Sequence, residues 1–211
     1  MEHIVLMGDS IFDNKSYVGT DPSVIEHLGA MIPEDWSATL CAVDGATMSA
    51  MQTQIPRIPA DATWLFVSIG GNDAIDNAHL LTDMTKPGPL LLDELAAVAD
   101  QFRSNYEAAI EGICAFKKPV CLCTIYNGNL ESRIASAARA AVAVFNDQIY
   151  SIANERRLPV IDLRRICNQP ADYANPIEPS AIGGKKIARS ILESIYAMAT
   201  RSPRWTMPWT P

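Results

Sequence analysis

Residues Ile4-Val-Leu-Met-Gly-Asp-Ser10 run four apolar side chains straight into a glycine and a serine. An unbroken apolar run of this length reads as a strand covered on both faces. Gly8 permits a tight turn where the run stops. Ser10 is thereby set at the carboxyl end of the strand, the edge at which open α/β sheets bind their ligands.

The same punctuation recurs outward from this stretch. Strand-like runs cover Ala38–Val43, Trp64–Ile69, Val120–Ile125 and Val160–Leu163. Helical patterns separate them at Pro22–Ile32, Thr47–Ile55, Leu90–Phe116, Ser132–Arg156 and Ile182–Met198. In the first, Asp21 reads as the N-cap and Pro22 as the first helical position. In the last, Ile187, Ile191 and Ile195 stand four apart with Ala188 and Leu192 beside them, one apolar stripe. Apolar strands alternating with helices define an α/β fold with helices on both faces of a parallel sheet. The expectation is a three-layer α/β/α sandwich, its five-stranded parallel sheet in the flavodoxin-like order 2-1-3-4-5. Residues 1–200 are expected to form a single domain. Residues 201–211 form a tail holding Pro203, Trp205, Pro208, Trp209 and Pro211.

The 211 residues are 48% hydrophobic and 19% charged, enough for a sizeable core, and carry a formal charge of −7. Basic residues occur only as scattered pairs, so no phosphate-neutralising surface and no nucleic-acid partner are expected. No run approaches the roughly 18 apolar residues of a membrane span. Ile4–Met7 is too short for a secretory signal. Neither a membrane association nor a secretory signal is therefore expected. Five cysteines without a CxxC, mostly within apolar runs, read as reduced core thiols. The expected location is cytoplasmic, and self-association into a homo-oligomer stays open.

Three turns follow three successive strands. Gly8-Asp9-Ser10 offers a nucleophilic hydroxyl. Asp44-Gly45-Ala46-Thr47 offers an accessible backbone N–H. Gly70-Gly71-Asn72-Asp73 offers a side-chain amide that donates to an oxyanion as a backbone amide does. Each alone is ordinary turn composition. Together, in this order and on successive strands, they resemble the SGNH/GDSL hydrolase family. Pro176-Ile-Glu-Pro-Ser-Ala-Ile-Gly-Gly-Lys-Lys-Ile-Ala188 resembles the family's last block, which opens the final helix. The resemblance spans Ile4 to about Ile195. It implies Ser10 as nucleophile, with an oxyanion hole built from the Ser10 and Gly45 amides and the Asn72 side chain. Gly8, Asp9, Gly70 and Asp73 belong to the same blocks. It implies an esterase or acylhydrolase acting on a small-molecule ester or related acyl compound, with no cofactor and no metal.

One block departs. The family carries Asp-x-x-His just before Pro-Ser, the histidine serving as base and the aspartate orienting it. Here the stretch is Asn175-Pro-Ile-Glu178, and the only histidines are His3, His27 and His79. Three readings compete. In the first, Glu178 is a carboxylate base and Asn175 its partner, because a carboxylate needs a donor where an imidazole N–H needs an acceptor. Ordinary pKa values of about 4.3 and 6.5 make Glu the weaker base by roughly 3 kcal/mol, part of which burial restores. In the second, His79 is the alternative base. It lies in the loop Ala74–Pro89, whose Leu80, Leu81 and Met84 suit a lid or substrate wall. His27 reads as helix packing, and His3 lies at the far end of the first strand. In the third, the chain is a catalytically inactive SGNH-fold protein that binds an acyl or carbohydrate ligand, and Glu178 merely favours a helix start.

No Walker loop, Gly-x-Gly-x-x-Gly or Gly-x-Ser-x-Gly occurs, which sets aside the P-loop, dinucleotide-binding and α/β-hydrolase alternatives.

Overall fold

Strands β1 (His3–Gly8), β2 (Ser37–Leu40), β3 (Trp64–Ser68), β4 (Val120–Cys123) and β5 (Val160–Ile161) pair in parallel in the order β2-β1-β3-β4-β5. The computed structural model describes residues 1–83, 85–130 and 132–200. Met84 of the expected lid and the tail 201–211 lie outside the described residues. The register sets Leu6 against Leu40 on one side and against Phe66 on the other, and it aligns Gly8 with Ser68. The expected order and layering are both present.

The helices are α1 (Lys15–Val18), α2 (Val24–Met31), α3 (Met51–Gln54), α4 (Gly71–Asp76), α5 (Gly88–Cys114), α6 (Ser132–Arg156), α7 (Leu163–Ile166) and α8 (Ala181–Thr200). The two-residue period of β1 divides the core between the faces. Val5 and Met7 pack with Phe102, Tyr106, Ile110 and Phe145 of α5 and α6. Ile4 and Leu6 pack with Leu28 of α2 and with Ile187 and Ile191 of α8. Each fully buried side chain of this size stabilises the fold by about 1.5–3 kcal/mol.

Several boundaries differ from the sequence reading, these three among them. β2 stops at Leu40, although the amides of Cys41 and Ala42 still donate to the Leu6 carbonyl at 2.8 and 3.0 Å. α2 starts two residues late. Ser23 is its cap, and the Glu26 carboxylate accepts the Ser23 N–H at 2.7 Å, so the capping pair displaces Asp21 and Pro22. The stretch Ala74–Pro89 is not a plain loop: α4 runs to Asp76, and a 3₁₀ turn follows at Ala78–Leu81.

Candidate active site

β1 ends under a strict backbone demand. Gly8 has φ of 128°, and a Cβ there would fall 1.7 Å from the Ser68 carbonyl oxygen. Only glycine fits. Buried Gln54 of α3 grips the same residue from the other side. Its Oε1 accepts the Gly8 N–H at 2.8 Å, and its Nε2 donates to the Gly8 carbonyl at 2.7 Å. The chain then turns. Asp9 N–H donates to Ser68 O at 3.0 Å, and the Asp9 carbonyl accepts from Phe12 and Asp13 at 3.1 Å each. Ser10 sits on this turn, 6% exposed.

The Asp9 side chain points inward and is 1% exposed. Its Oδ1 accepts the Ile11 N–H at 3.1 Å. Burial pushes the carboxyl up to about 7. The Ile11 N–H holds it down, and the nearby Glu178 charge pushes it further up.

Asn72 lies in the first turn of α4, and its Nδ2 donates to the Ala46 carbonyl at 2.9 Å. That bond ties the amide to the turn containing Gly45. The second Nδ2 hydrogen is free to meet a ligand. Asp73 fixes the same junction, accepting the Met48 N–H at 3.1 Å, and burial raises its pKa. Gly45 is exposed with φ of 75°, and among the described residues its N–H has no hydrogen-bond partner.

Glu178 arrives on the segment before α8 and is 6% exposed. Burial raises its pKa. The nearby Ser10 hydroxyl pulls it back, and the Asp44 charge raises it again. Its Oε2 is buried and has no hydrogen-bond partner among the described residues. Asn14, which the sequence reading did not single out, holds this segment. Its Nδ2 donates to Pro179 O at 3.1 Å while its Oδ1 accepts the Val24 N–H at 2.9 Å. Tyr126 adds a hydrogen bond from its hydroxyl to the Ile177 carbonyl. Only burial marks these anchors, and burial is not visible in a polar residue's identity.

Asn175 is exposed and has a different job from the one expected. Its Oδ1 accepts the N–H groups of Ile177 and Glu178, each at 2.9 Å. Among the described residues its amide makes no hydrogen bond to the Glu178 carboxylate. The local turn takes the side chain first, as asparagine's short reach favours. His79 is exposed and does not line the site, although its neighbours Ala78 and Leu80 do. His27 Nε2 donates to the Ala181 carbonyl at 2.9 Å, and His3 pairs with Thr39 and Asp61 at the opposite end of the sheet.

Ser10, Asp9, Asn72 and Glu178 meet on the wall of one cavity of about 300 Å³. The rest of the wall is mostly apolar. It comes from α4, the 3₁₀ turn at Ala78–Leu81, the segment Ile125–Leu130 and one face of α6. The expected lid stretch therefore supplies a wall. Outside the cavity, the Tyr17 hydroxyl donates to Asp44 at 2.8 Å, and the Asp44 N–H donates to Asp13 at 3.0 Å, which makes an acidic flank beside Gly45.

The doubly wound α/β domain thus presents a serine, a carboxylate and an asparagine amide at the carboxyl end of its sheet. The chain belongs to the GDSL-like lipase/acylhydrolase family, whose profile matches residues 6–184. Solved structures with the same fold include an extracellular lipase from Streptomyces rimosus, with 16% identity, TM-score 0.69, and coverage of 92% of this chain and 99% of that one. A phospholipase A1 from Streptomyces albidoflavus has 14% identity, TM-score 0.70, and coverage of 92% and 98%. An esterase from Pseudoalteromonas sp., solved inhibited by monoethylphosphonate, has 14% identity, TM-score 0.64, and coverage of 94% and 99%. No curated protein sequence matches the chain.

Proposed function

We propose that the chain is a serine esterase whose base is Glu178 in place of the family's histidine. The observation that carries this reading is the buried Glu178 carboxylate on the same cavity wall as Ser10. Glu178 takes the hydroxyl proton as Ser10 Oγ bonds to the carbonyl carbon of an ester. The carbonyl oxygen becomes an oxyanion held by the amides of Ser10 and Gly45 and by Asn72 Nδ2. The carbon–oxygen bond to the alcohol then breaks, and protonated Glu178 gives its proton to the leaving oxygen. Water, deprotonated by Glu178, releases the acid from the Ser10 ester and returns the proton to Ser10.

A carboxylate base suits this setting in one respect. Proton transfer leaves Glu178 neutral, and a neutral carboxyl is the form burial favours. The cost is that no imidazolium stands beside the oxyanion, so the three donors carry that charge alone.

The test is labelling with a fluorophosphonate, together with hydrolysis of p-nitrophenyl esters. The parent is expected to be labelled and to turn over ester, and Ser10→Ala to do neither. A parent that is neither labelled nor active with any ester would mark the chain as a ligand-binding relative.

A further inference from the structure

We propose that the apolar cavity beside Ser10 is an acyl-chain slot that selects esters of medium-chain fatty acids, with Ala141 of α6 setting the length it accepts. The proposal rests on the Ser10–Glu178 reading for its chemistry and on the cavity itself for its specificity.

The slot is built along one face of α6. Ile134, Ala138, Ala141 and Phe145 all line it at helical spacing. Eleven residues separate the first from the last, which at 1.5 Å per residue is about 16 Å of continuous wall. Exposure is highest at Ile134, 43%, and lowest at Phe145, 2%, with Ala138 at 8% and half-buried Ala141 between them. The cavity therefore passes from a solvent-facing mouth into the main core. Leu80 closes the facing side from the 3₁₀ turn.

The mouth is also apolar. Ile75, Ile134 and Ile177 are 46%, 43% and 39% exposed, and all three border this one cavity. Large apolar side chains left facing solvent around a single opening mark a binding surface more than chance does. Asp9, Ser10, Asn72 and Glu178 supply polar groups where an ester would lie, and Asn77 and Asn127 add two amides elsewhere on the wall. Among the described residues, α6 brings no charged side chain to the wall to meet a sugar or a peptide. An ester carbonyl at Ser10 with a hydrocarbon chain running inward along α6 satisfies both ends.

Size sets the chain length. At roughly 30 Å³ for a group the size of water, the 300 Å³ of the slot holds on the order of ten heavy atoms. That corresponds to an acyl chain of about eight carbons. Ala138 and Ala141 are the small residues that α6 contributes to the wall, and Ala141 is only half-buried, so a larger side chain there fills the slot with little pressure on the core.

The experiment has two parts. First, kcat/KM is measured for p-nitrophenyl esters from acetate to palmitate. For the parent it is expected to rise about fourfold per methylene to near eight carbons and then level or fall. Ala141→Leu is expected to move the maximum two or more carbons shorter. Ile134→Ser, at the exposed mouth, is expected to weaken octanoate at least tenfold relative to acetate. Second, methyl octanoate and methyl acetate are titrated calorimetrically into Ser10→Ala. The octanoate is expected to bind at least a hundredfold tighter, and Ala141→Leu on that background to remove most of the difference. A parent indifferent to acyl length, a maximum unmoved by Ala141→Leu, or equal binding of the two methyl esters would overturn the slot. The titration needs no turnover. Tight octanoate binding by a protein that hydrolyses nothing would keep the slot and sink the esterase reading.

Discussion

The side-chain oxygen of Asn175 accepts the backbone N–H of Glu178 at 2.9 Å, and it accepts the N–H of Ile177 at the same distance. Asn175 therefore shapes the segment that presents Glu178 without touching the carboxylate. A net hydrogen bond contributes about 0.5–1.5 kcal/mol. Asn175→Ala gives up both and lets the segment loosen. Its expected effect is a fall in kcat of about tenfold and a lower Tm. Asn175→Asp keeps an oxygen in the same place and is expected to stay within about threefold of the parent. Steady-state kinetics with thermal melts check this. Equal losses in the Ala and Asp variants would show that the amide, and not its oxygen, matters.

Asn72 spends one amide hydrogen on the Ala46 carbonyl and keeps the other for a ligand. Losing an oxyanion donor costs about 10² to 10³ in kcat. Losing the bond to Ala46 costs only about 1 kcal/mol of stability. Asn72→Ala is thus expected to fold, to bind substrate with little change in KM, and to turn over at least a hundredfold slower. A variant with parental kcat removes Asn72 from the chemistry.

Glu178 and His79 are separable by pH. Burial raises the Glu178 pKa, and the base acts in its ionised form, so the rate must rise with pH through a value above the ordinary glutamate range. Glu178→Gln keeps the shape without a basic oxygen and is expected to lose at least 10² in kcat. His79 is exposed and outside the cavity wall, so His79→Ala is expected to leave both rate and profile unchanged. The reverse pattern, an active Glu178→Gln and a dead His79→Ala, makes the loop histidine the base.

The sheet was legible because its strands are unbroken apolar runs stopped by glycine, and the parallel order follows from the helices between them. The blocks around Ser10, Gly45 and Asn72 were legible for the same reason, since each marks where a strand ends. The role of Asn175 was not. Its pairing with Glu178 was inferred from spacing, and spacing does not say whether a side chain turns to its neighbour's carboxylate or to its neighbour's backbone. Asn14 and Gln54 were missed because a polar residue in the core looks like one on the surface until its partners are placed. The cavity along α6 was hidden too, because an alanine-rich helix reads the same whether it packs against a core or lines a slot.

Asp9 offers the sharpest test of the site's electrostatics. It is fully enclosed, with a backbone N–H at Oδ1 and the Glu178 charge nearby. Its carboxyl has a pKa of about 7 in the folded protein against an ordinary 3.8. The sign of the consequence follows from proton counting. Between those values the folded chain holds a proton that the unfolded chain has released, so folding stability falls as pH rises through the window. Below the window both states are protonated, and above it both are ionised, so this contribution is flat on either side. Asn is nearly isosteric, keeps an oxygen for the Ile11 N–H, and has no charge to bury. Asp9→Asn should therefore gain on the parent as pH rises. From pH 5 to pH 8 the variant-minus-parent difference in unfolding free energy is expected to grow by about 2–3 kcal/mol, at 1.36 kcal/mol per unit of pKa. Asp73 and Glu178 also have raised pKa values, but both are present in parent and variant, so most of their effect cancels in the difference. Urea unfolding of the two proteins at pH 5, 6, 7 and 8 measures it. Parallel stability curves would mean that Asp9 is ionised across the whole range, stabilised by donors stronger than the Ile11 amide.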